Sequence, residues 1–391
     1  MNKQEIISLD KEYLMQTYGR LEIAPVEGRS ATLVDADGRE FIDFTSGIGV
    51  NSLGFCDEGW IRAVSDQLSS IQHMSNYFYC DKAGILAKKL VGLSGLRRVF
   101  FGNSGAEANE GAIKLARKYS FDKYGTGRST VVSLVNSFHG RTVTTLAATG
   151  QDVFHNYFYP FTEGFAYIPA NDGSALERLG NDVCAIIAEP IQGEGGVIPL
   201  DAEYVRILRK FCDERDILLI FDEVQTGIGR TGKFFGHEYF NVKPDILTLA
   251  KGLGGGLPIG AFVAGEKCES TLGAGTHGST FGANPVVCAG ANYVVDRVSD
   301  PRFLGEVIEK GEKIRNFVLG SKLSKVKSIR GKGMMIGIQV DGNPKELLHD
   351  AADAGLLVLT AGKDVIRLLP PLTITNYELD RGLEILAKVL K

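Results

Sequence analysis

Lys251 stands between an apolar run, Ile246-Leu247-Thr248-Leu249-Ala250, and the stretch Gly252-Leu253-Gly254-Gly255-Gly256, with no charged residue within five positions on either side. A lysine at an apolar strand end is poorly solvated, which disfavours the ammonium and lowers its pKa. The neutral amine attacks carbonyls and holds an aldehyde as a Schiff base. A second apolar run, Ile217-Leu218-Leu219-Ile220-Phe221, ends in Asp222-Glu223. Ligands of open α/β sheets bind at the carboxyl ends of the strands, so Asp222 is placed to pair with a cationic ring nitrogen. Capping the next turn is the structural alternative.

Other residues add further chemistry. Asn103-Ser104-Gly105-Ala106-Glu107-Ala108 follows the apolar Val99-Phe100-Phe101 and opens a helical pattern. Small residues at a helix N-terminus leave backbone N–H groups for an anion, to which Ser104 adds a hydroxyl; an ordinary N-cap is the competing reading. In Ser137-Phe138-His139-Gly140-Arg141, Phe138 is able to stack on a planar ring and Arg141 to clamp a carboxylate. Arg367 lies inside Val365-Ile366-Arg367-Leu368-Leu369, either placed for an anion or paired internally with Glu189 or Glu194. Two G-x-G-x-x-G matches, Gly227 to Gly232 and Gly273 to Gly278, lack the strand-to-helix context of a dinucleotide site. Gly227 to Lys233 fits the front of a P-loop, but Phe234 stands where a magnesium-binding hydroxyl belongs. The six histidines show no metal spacing, and no G-x-S-x-G elbow is present.

The elements that must position these residues are legible in the pattern. Val99–Phe101, Val131–Val135, Cys184–Ala188, Ile217–Phe221, Ile246–Leu249 and Ala261–Ala264 are continuous apolar runs, as expected for strands buried on both faces. Helical stripes such as Ala108, Ala112, Leu115, Ala116 and Tyr119 lie between them. This predicts a mostly parallel, helix-covered sheet. Ala31–Val34 and Glu40–Phe44 flank the turn Asp35-Ala36-Asp37-Gly38 as a hairpin. After about residue 290 come a helix over 303–323, glycine-punctuated strands over 329–338, the segment 365–371 and a final helix over 377–390. The net charge of −4, without a basic tract, argues against nucleic acid. No stretch reaches the roughly 18 apolar residues of a membrane helix. The N-terminus shows no secretory pattern, and six irregularly spaced cysteines read as reduced thiols, so a cytoplasmic setting is expected.

Together these parts suit pyridoxal phosphate: an amine, a phosphate cradle, an acid for the pyridine nitrogen and a stacking ring. The chain resembles the class III pyridoxal-phosphate aminotransferases of fold-type I over nearly its whole length. The resemblance is carried by the Asn103–Ala108 motif, Phe138-His139-Gly140-Arg141-Thr142, Glu189-Pro190-Ile191-Gln192-Gly193-Glu194, Asp222-Glu223-Val224-Gln225-Thr226-Gly227, Lys251-Gly252, Gly278-Ser279-Thr280-Phe281-Gly282 and Arg367-Leu368. Within the class it is most similar to acetylornithine aminotransferases. The resemblance implies an α/β fold with a mostly parallel seven-stranded sheet and a smaller α+β domain, divided as 1–50, 51–290 and 291–391. It implies pyridoxal 5′-phosphate held by Ser104, Gly105, Ala106, Phe138, Asp222, Gln225 and Lys251, with Thr280 reaching the neighbouring subunit's phosphate in a homodimer with shared sites.

Lys251 would be the Schiff-base lysine and proton shuttle. Arg141 would hold the acylornithine carboxylate and Arg367 that of glutamate, with Glu194 neutralising Arg367, and Ser279 would join the substrate side. Ile23 and Gly47 align with two tyrosines that ornithine aminotransferases use to hold a free α-amine, which favours an N-acyl donor. The implied activity exchanges the distal amine of N2-acetylornithine with 2-oxoglutarate, the partners being small amino and keto acids. Succinylornithine, N-succinyl-diaminopimelate, 4-aminobutyrate and ornithine are the alternative donors. A non-catalytic cofactor-binding protein and a nucleotide-binding enzyme are alternatives of other classes.

Overall fold

The apolar runs of the central sequence become strands of one seven-stranded sheet in the computed structural model, which describes residues 1–391. Across the sheet the order is Arg98–Gly102, Gly260–Ala264, Ile246–Leu249, Leu218–Asp222, Val183–Ala188, Thr130–Leu134 and Phe165–Ile168. From Ile246–Leu249 to Phe165–Ile168 all neighbours are parallel. Gly260–Ala264 runs antiparallel to both of its neighbours. The sequence pattern passes over Phe165–Ile168, an edge strand with only Ile168 buried. One side of it meets solvent, so it carries no continuous apolar run.

Every residue of Leu218–Asp222 is buried, because the two faces of the strand pack into different cores. Leu218 and Ile220 join Ala112, Leu115 and Ala116 of the helix Gly105–Tyr124. Leu219 and Phe221 join Tyr204, Val205, Leu208 and Cys212 of the helix Ala202–Glu214 on the opposite face. Each such apolar side chain contributes about 1.5–3 kcal/mol on burial. The sheet is thereby clamped between helices, and its carboxyl edge becomes a rigid rim.

The C-terminal part builds a second sheet in the order Val326–Lys332, Met335–Val340, Val365–Leu368, Leu359–Ala361. The helices Pro301–Gly320 and Asn376–Leu390 accompany it. The N-terminal hairpin forms around Asp35, whose Oδ1 accepts from the N–H groups of Asp37 and Arg39, each at 3.0 Å. Its strand Glu40–Asp43 then pairs in parallel with Leu356–Leu357, so the two ends of the chain share a sheet. The glycine-rich decoy at 227–232 has a packing role. Its Arg230 is buried and donates to the carbonyls of Met334 and Pro370 at 3.2 and 2.5 Å and to Ser46 Oγ at 3.3 Å. Burial pushes the Arg230 pKa down to about 9.

Candidate active site

Lys251 opens the turn Lys251–Gly254 immediately beyond the strand Ile246–Leu249. Its φ of 44° lies in the left-handed region, which a side-chain-bearing residue adopts only at a cost. The turn is fastened from outside: Ser52 Oγ donates to the Gly252 carbonyl and Trp60 Nε1 to that of Gly254, both at 3.1 Å. Burial lowers the Lys251 pKa; Glu194 opposes that shift and Arg367 reinforces it. The amine expected from sequence therefore has its physical cause in the fold.

Asp222 ends the neighbouring parallel strand. Its Oδ1 accepts from the Val224 N–H at 3.0 Å, so the turn-capping alternative is realised as well. Its Oδ2 accepts from Asn109 Nδ2 at 2.7 Å and lies 2.8 Å from His139 Nδ1. At the helix Gly105–Tyr124, Ser104 is the N-cap and accepts from the Glu107 N–H at 3.1 Å. The Glu107 carboxylate returns to the Asn103 N–H at 2.8 Å and to Ser104 Oγ at 3.1 Å, shaping the loop. The N–H groups of Gly105 and Ala106 belong to the first turn, where the helix supplies no acceptor.

Two glycines permit this crowding. A Cβ on Gly260 would lie 2.0 Å from the Ser104 carbonyl oxygen. Gly140 has φ of 144°, and its Cβ would lie 2.8 Å from that of Ala106. The loop bearing Phe138 and Arg141 thus abuts the first turn of the helix Gly105–Tyr124.

Ser104, Gly105, Ala106, Phe138, Arg141, Asp222, Gln225 and Lys251 line one cavity of about 520 Å³. Arg141 is exposed, its guanidinium carbon 4.3 Å from the Phe154 ring centre and 5.6 Å from that of Phe138. Arg367 stands behind Gln225, donating to Gln225 Oε1 at 3.0 Å and to the two Glu194 oxygens at 2.6 and 3.1 Å. Burial pushes the Glu194 pKa up, but the Arg367 charge and hydrogen bonds prevail and the net shift is downward. Glu194 faces an adjoining cleft that Phe154 also lines. Of the two arginine partners left open by sequence, Glu194 is the one engaged. Glu189 instead accepts from the N–H groups of Phe138 and Gly193 at 3.0 and 3.2 Å. Burial pushes its carboxyl up to about 7.

Ser279 and Thr280 do not line the cavity of their own chain. Ser279 Oγ accepts from Asn103 Nδ2 at 3.2 Å and the Gly282 N–H at 2.9 Å, and so supports the loop before Ser104. Thr280 is exposed. Ile23 is half-buried and Gly47 exposed, and Val50, close to Gly47, lines the cavity. Sequence reasoning missed the contact of Asn109 with Asp222 and the hold of Glu189 on the Phe138 N–H. The available signal for Asn109 was an amide beside the apolar helix stripe. No group of His, Cys, Asp or Glu is arranged to hold a metal.

The arrangement suits a flat, phosphorylated pyridine aldehyde. The helix turn at Ser104, a buried carboxylate at Asp222 and an amine of lowered basicity at Lys251 all line the one cavity. The family model for Aminotransferase class-III matches residues 13–390. An acetylornithine aminotransferase of Haemophilus ducreyi is 54% identical, covering 100% of this chain and 99% of its own. The ornithine aminotransferase structure from Toxoplasma gondii superposes with a TM-score of 0.95 at 31% identity, covering 100% of this chain and 95% of that one. The N-acetylornithine aminotransferase structure from Stenotrophomonas maltophilia gives 0.85 at 36% identity, with 98% of each chain covered. The chain belongs to the class-III aminotransferase family.

Proposed function

We propose that the protein exchanges the distal amino group of N2-acetylornithine with 2-oxoglutarate, giving N-acetylglutamate 5-semialdehyde and glutamate, with pyridoxal 5′-phosphate as cofactor. The observation that carries this reading is the asymmetry of two arginines. Arg141 is exposed at the cavity with only aromatic rings against it. Arg367 is buried and engaged by both oxygens of Glu194. A dicarboxylate keto acid takes Arg367 by displacing Glu194. A long acylated donor uses Arg141 and leaves the Arg367–Glu194 pair closed. Ile23 and Gly47 add no polar group for a free α-amine, and the identity to the Haemophilus ducreyi protein supports the same donor. Ornithine is the rival reading, favoured by the close match to the Toxoplasma gondii fold.

The cofactor supplies an electrophilic aldehyde carbon and a ring that accepts negative charge. Asp222, a buried carboxylate, holds a proton at the ring nitrogen. Ser104 and the N–H groups of Gly105 and Ala106 bind the phosphate. Phe138 and Gln225, which line the same cavity, would stack on the ring and donate to its oxygen, respectively. Lys251 Nζ would take the proton from the substrate carbon. We further propose a homodimer in which Thr280 completes the partner's phosphate site, a cytoplasmic location consistent with six unpaired cysteines, and the division 1–50, 51–290 and 291–391.

The test is the half-reaction of the holoenzyme, followed by loss of its visible absorbance. N2-acetylornithine, N2-succinylornithine, N-succinyl-diaminopimelate, 4-aminobutyrate and ornithine are compared. The acetylated donor is expected to react fastest; a faster reaction with ornithine would reject the donor assignment.

A further inference from the structure

Asp222 is held by a hydrogen-bond chain that none of the roles above uses. Thr248 Oγ1 lies 2.7 Å from Asn109 Oδ1. Asn109 Nδ2 lies 2.7 Å from Asp222 Oδ2 and 2.8 Å from the His139 carbonyl oxygen. His139 Nδ1 lies 2.8 Å from the same Asp222 oxygen. Thr248 and Asn109 are completely buried, and His139 and Asp222 nearly so.

The direction of every bond follows from the atoms. An ionised Asp222 and the His139 carbonyl only accept, so Asn109 must turn its NH2 group toward both. The reversed amide would set a third oxygen against those two. Asn109 Oδ1 then faces Thr248, whose hydroxyl must donate. His139 contributes Nδ1–H to the carboxylate, and its Nε2 is buried without a hydrogen-bond partner. Asp222 Oδ2 therefore receives two side-chain donors, while Oδ1 receives the single Val224 N–H and keeps a lone pair for one more. Two donors on one oxygen, with a third on the other, oppose rotation of the carboxylate. In a buried site, losing either donor leaves polar atoms that water does not rescue.

We propose that Asn109, oriented by Thr248, is a positioning residue that fixes the Asp222 carboxylate in the orientation its contact with the pyridine nitrogen would need. The inference rests on the reading that Asp222 faces that nitrogen. Asn109 lies on the helix whose first turn forms the anion cradle, and Thr248 lies on the strand that leads to Lys251. One amide thus ties the phosphate end, the ring acid and the lysine strand into a single frame.

The test compares Asn109→Ala, Thr248→Val and Thr248→Ser as holoenzymes. It reads kcat and KM together with the ¹⁵N resonance of ring-labelled pyridoxal phosphate, which reports protonation of the pyridine nitrogen. Asn109→Ala is expected to lower kcat about tenfold with little change in KM, the usual scale for a residue that orients a functional group from behind. Its resonance should move toward that of an unprotonated pyridine. Thr248→Val keeps the side-chain shape and should move both readouts in the same direction by less, so it answers the question should Asn109→Ala not fold. Thr248→Ser should restore the wild-type values. If Asn109→Ala and Thr248→Val lose thermal stability while the resonance and kcat stay at wild type, Asn109 merely fastens helix to strand and the proposal is overturned. An unchanged resonance in Asp222→Asn would instead overturn the reading of Asp222, and the inference with it.

Discussion

In the proposed reaction the Glu194–Arg367 ion pair would decide which substrate enters. Glu194 is ionised below the usual carboxyl range only because Arg367 outweighs the cost of its burial. Arg367 is buried whereas Glu194 is partly exposed, on the side from which an incoming carboxylate would displace it. Glu194→Gln keeps the shape and removes the competing charge. The KM for 2-oxoglutarate should fall on the order of tenfold, the scale of one charge-assisted hydrogen bond. The half-reaction with N2-acetylornithine should change much less, because that donor is assigned to Arg141, and loss of Glu194, which raises the Lys251 pKa, favours the neutral amine. Steady-state and single-turnover kinetics check the two halves separately; equal effects on both would contradict the gating role. Lys251 belongs to the same electrostatic group, with Glu194 raising its pKa and Arg367 and burial lowering it.

Between neighbouring elements, tolerance is set by backbone contact rather than by side-chain identity. The strand Gly260–Ala264 can lie against the Ser104 turn only because Gly260 has no Cβ. Gly260→Ala should cost about 1–3 kcal/mol, the range for overpacking, and weaken cofactor binding by displacing the Ser104 carbonyl. Thermal unfolding of the apoenzyme and titration with pyridoxal phosphate measure the two effects; unchanged cofactor affinity would show that the cradle absorbs the strain. The adjacent acids Asp222 and Glu223 divide their work by the same logic. Glu223 accepts from the N–H groups of Gly236 and His237 at 2.6 and 2.7 Å and from Thr226 Oγ1 at 2.9 Å, so it is consumed in shaping the loop beyond the strand. Asp222, one residue earlier, points from the sheet edge into the cavity. Nothing in the dipeptide distinguishes these fates; the alternation of the strand does.

At the scale of the whole molecule, the two ends of the chain are locked together by Glu378. Its carboxylate accepts from Ser30 Oγ at 2.8 Å, the Ala31 N–H at 2.9 Å and Thr32 Oγ1 at 3.0 Å, and also from the Thr375 N–H at 3.0 Å. Burial pushes its pKa up, but the Thr375, Ser30 and Ala31 hydrogen bonds more than offset this, and the net shift is downward. A carboxyl depressed in the folded state contributes stability that is present above its ordinary value near 4.5 and lost as pH falls through the folded value. Glu378→Gln should therefore be less stable than wild type at neutral pH and converge with it in acid. Denaturation midpoints at several pH values check this; a constant difference across the range would refute the linkage. Arg230 provides a second tie, joining the loop after Asp222 to Ser46 and to the carbonyls of Met334 and Pro370.

The chain sequence determines the sheet because strands buried on both faces require unbroken apolar runs, and such runs are visible without coordinates. It likewise determines the chemical types present: a lysine and an aspartate at strand ends, small residues opening a helix and two isolated arginines. The edge strand Phe165–Ile168 escapes detection because solvent on one side relaxes that requirement. Tertiary structure alone decides which polar groups meet. Asp222 and Thr248 are far from Asn109 in the chain, yet each meets its side chain through a hydrogen bond of 2.7 Å. Arg367 selects Glu194 rather than Glu189 for the same reason. A hydrogen bond depends on angstrom-scale placement of two side chains, whereas an apolar pattern reports only which face of an element is dry.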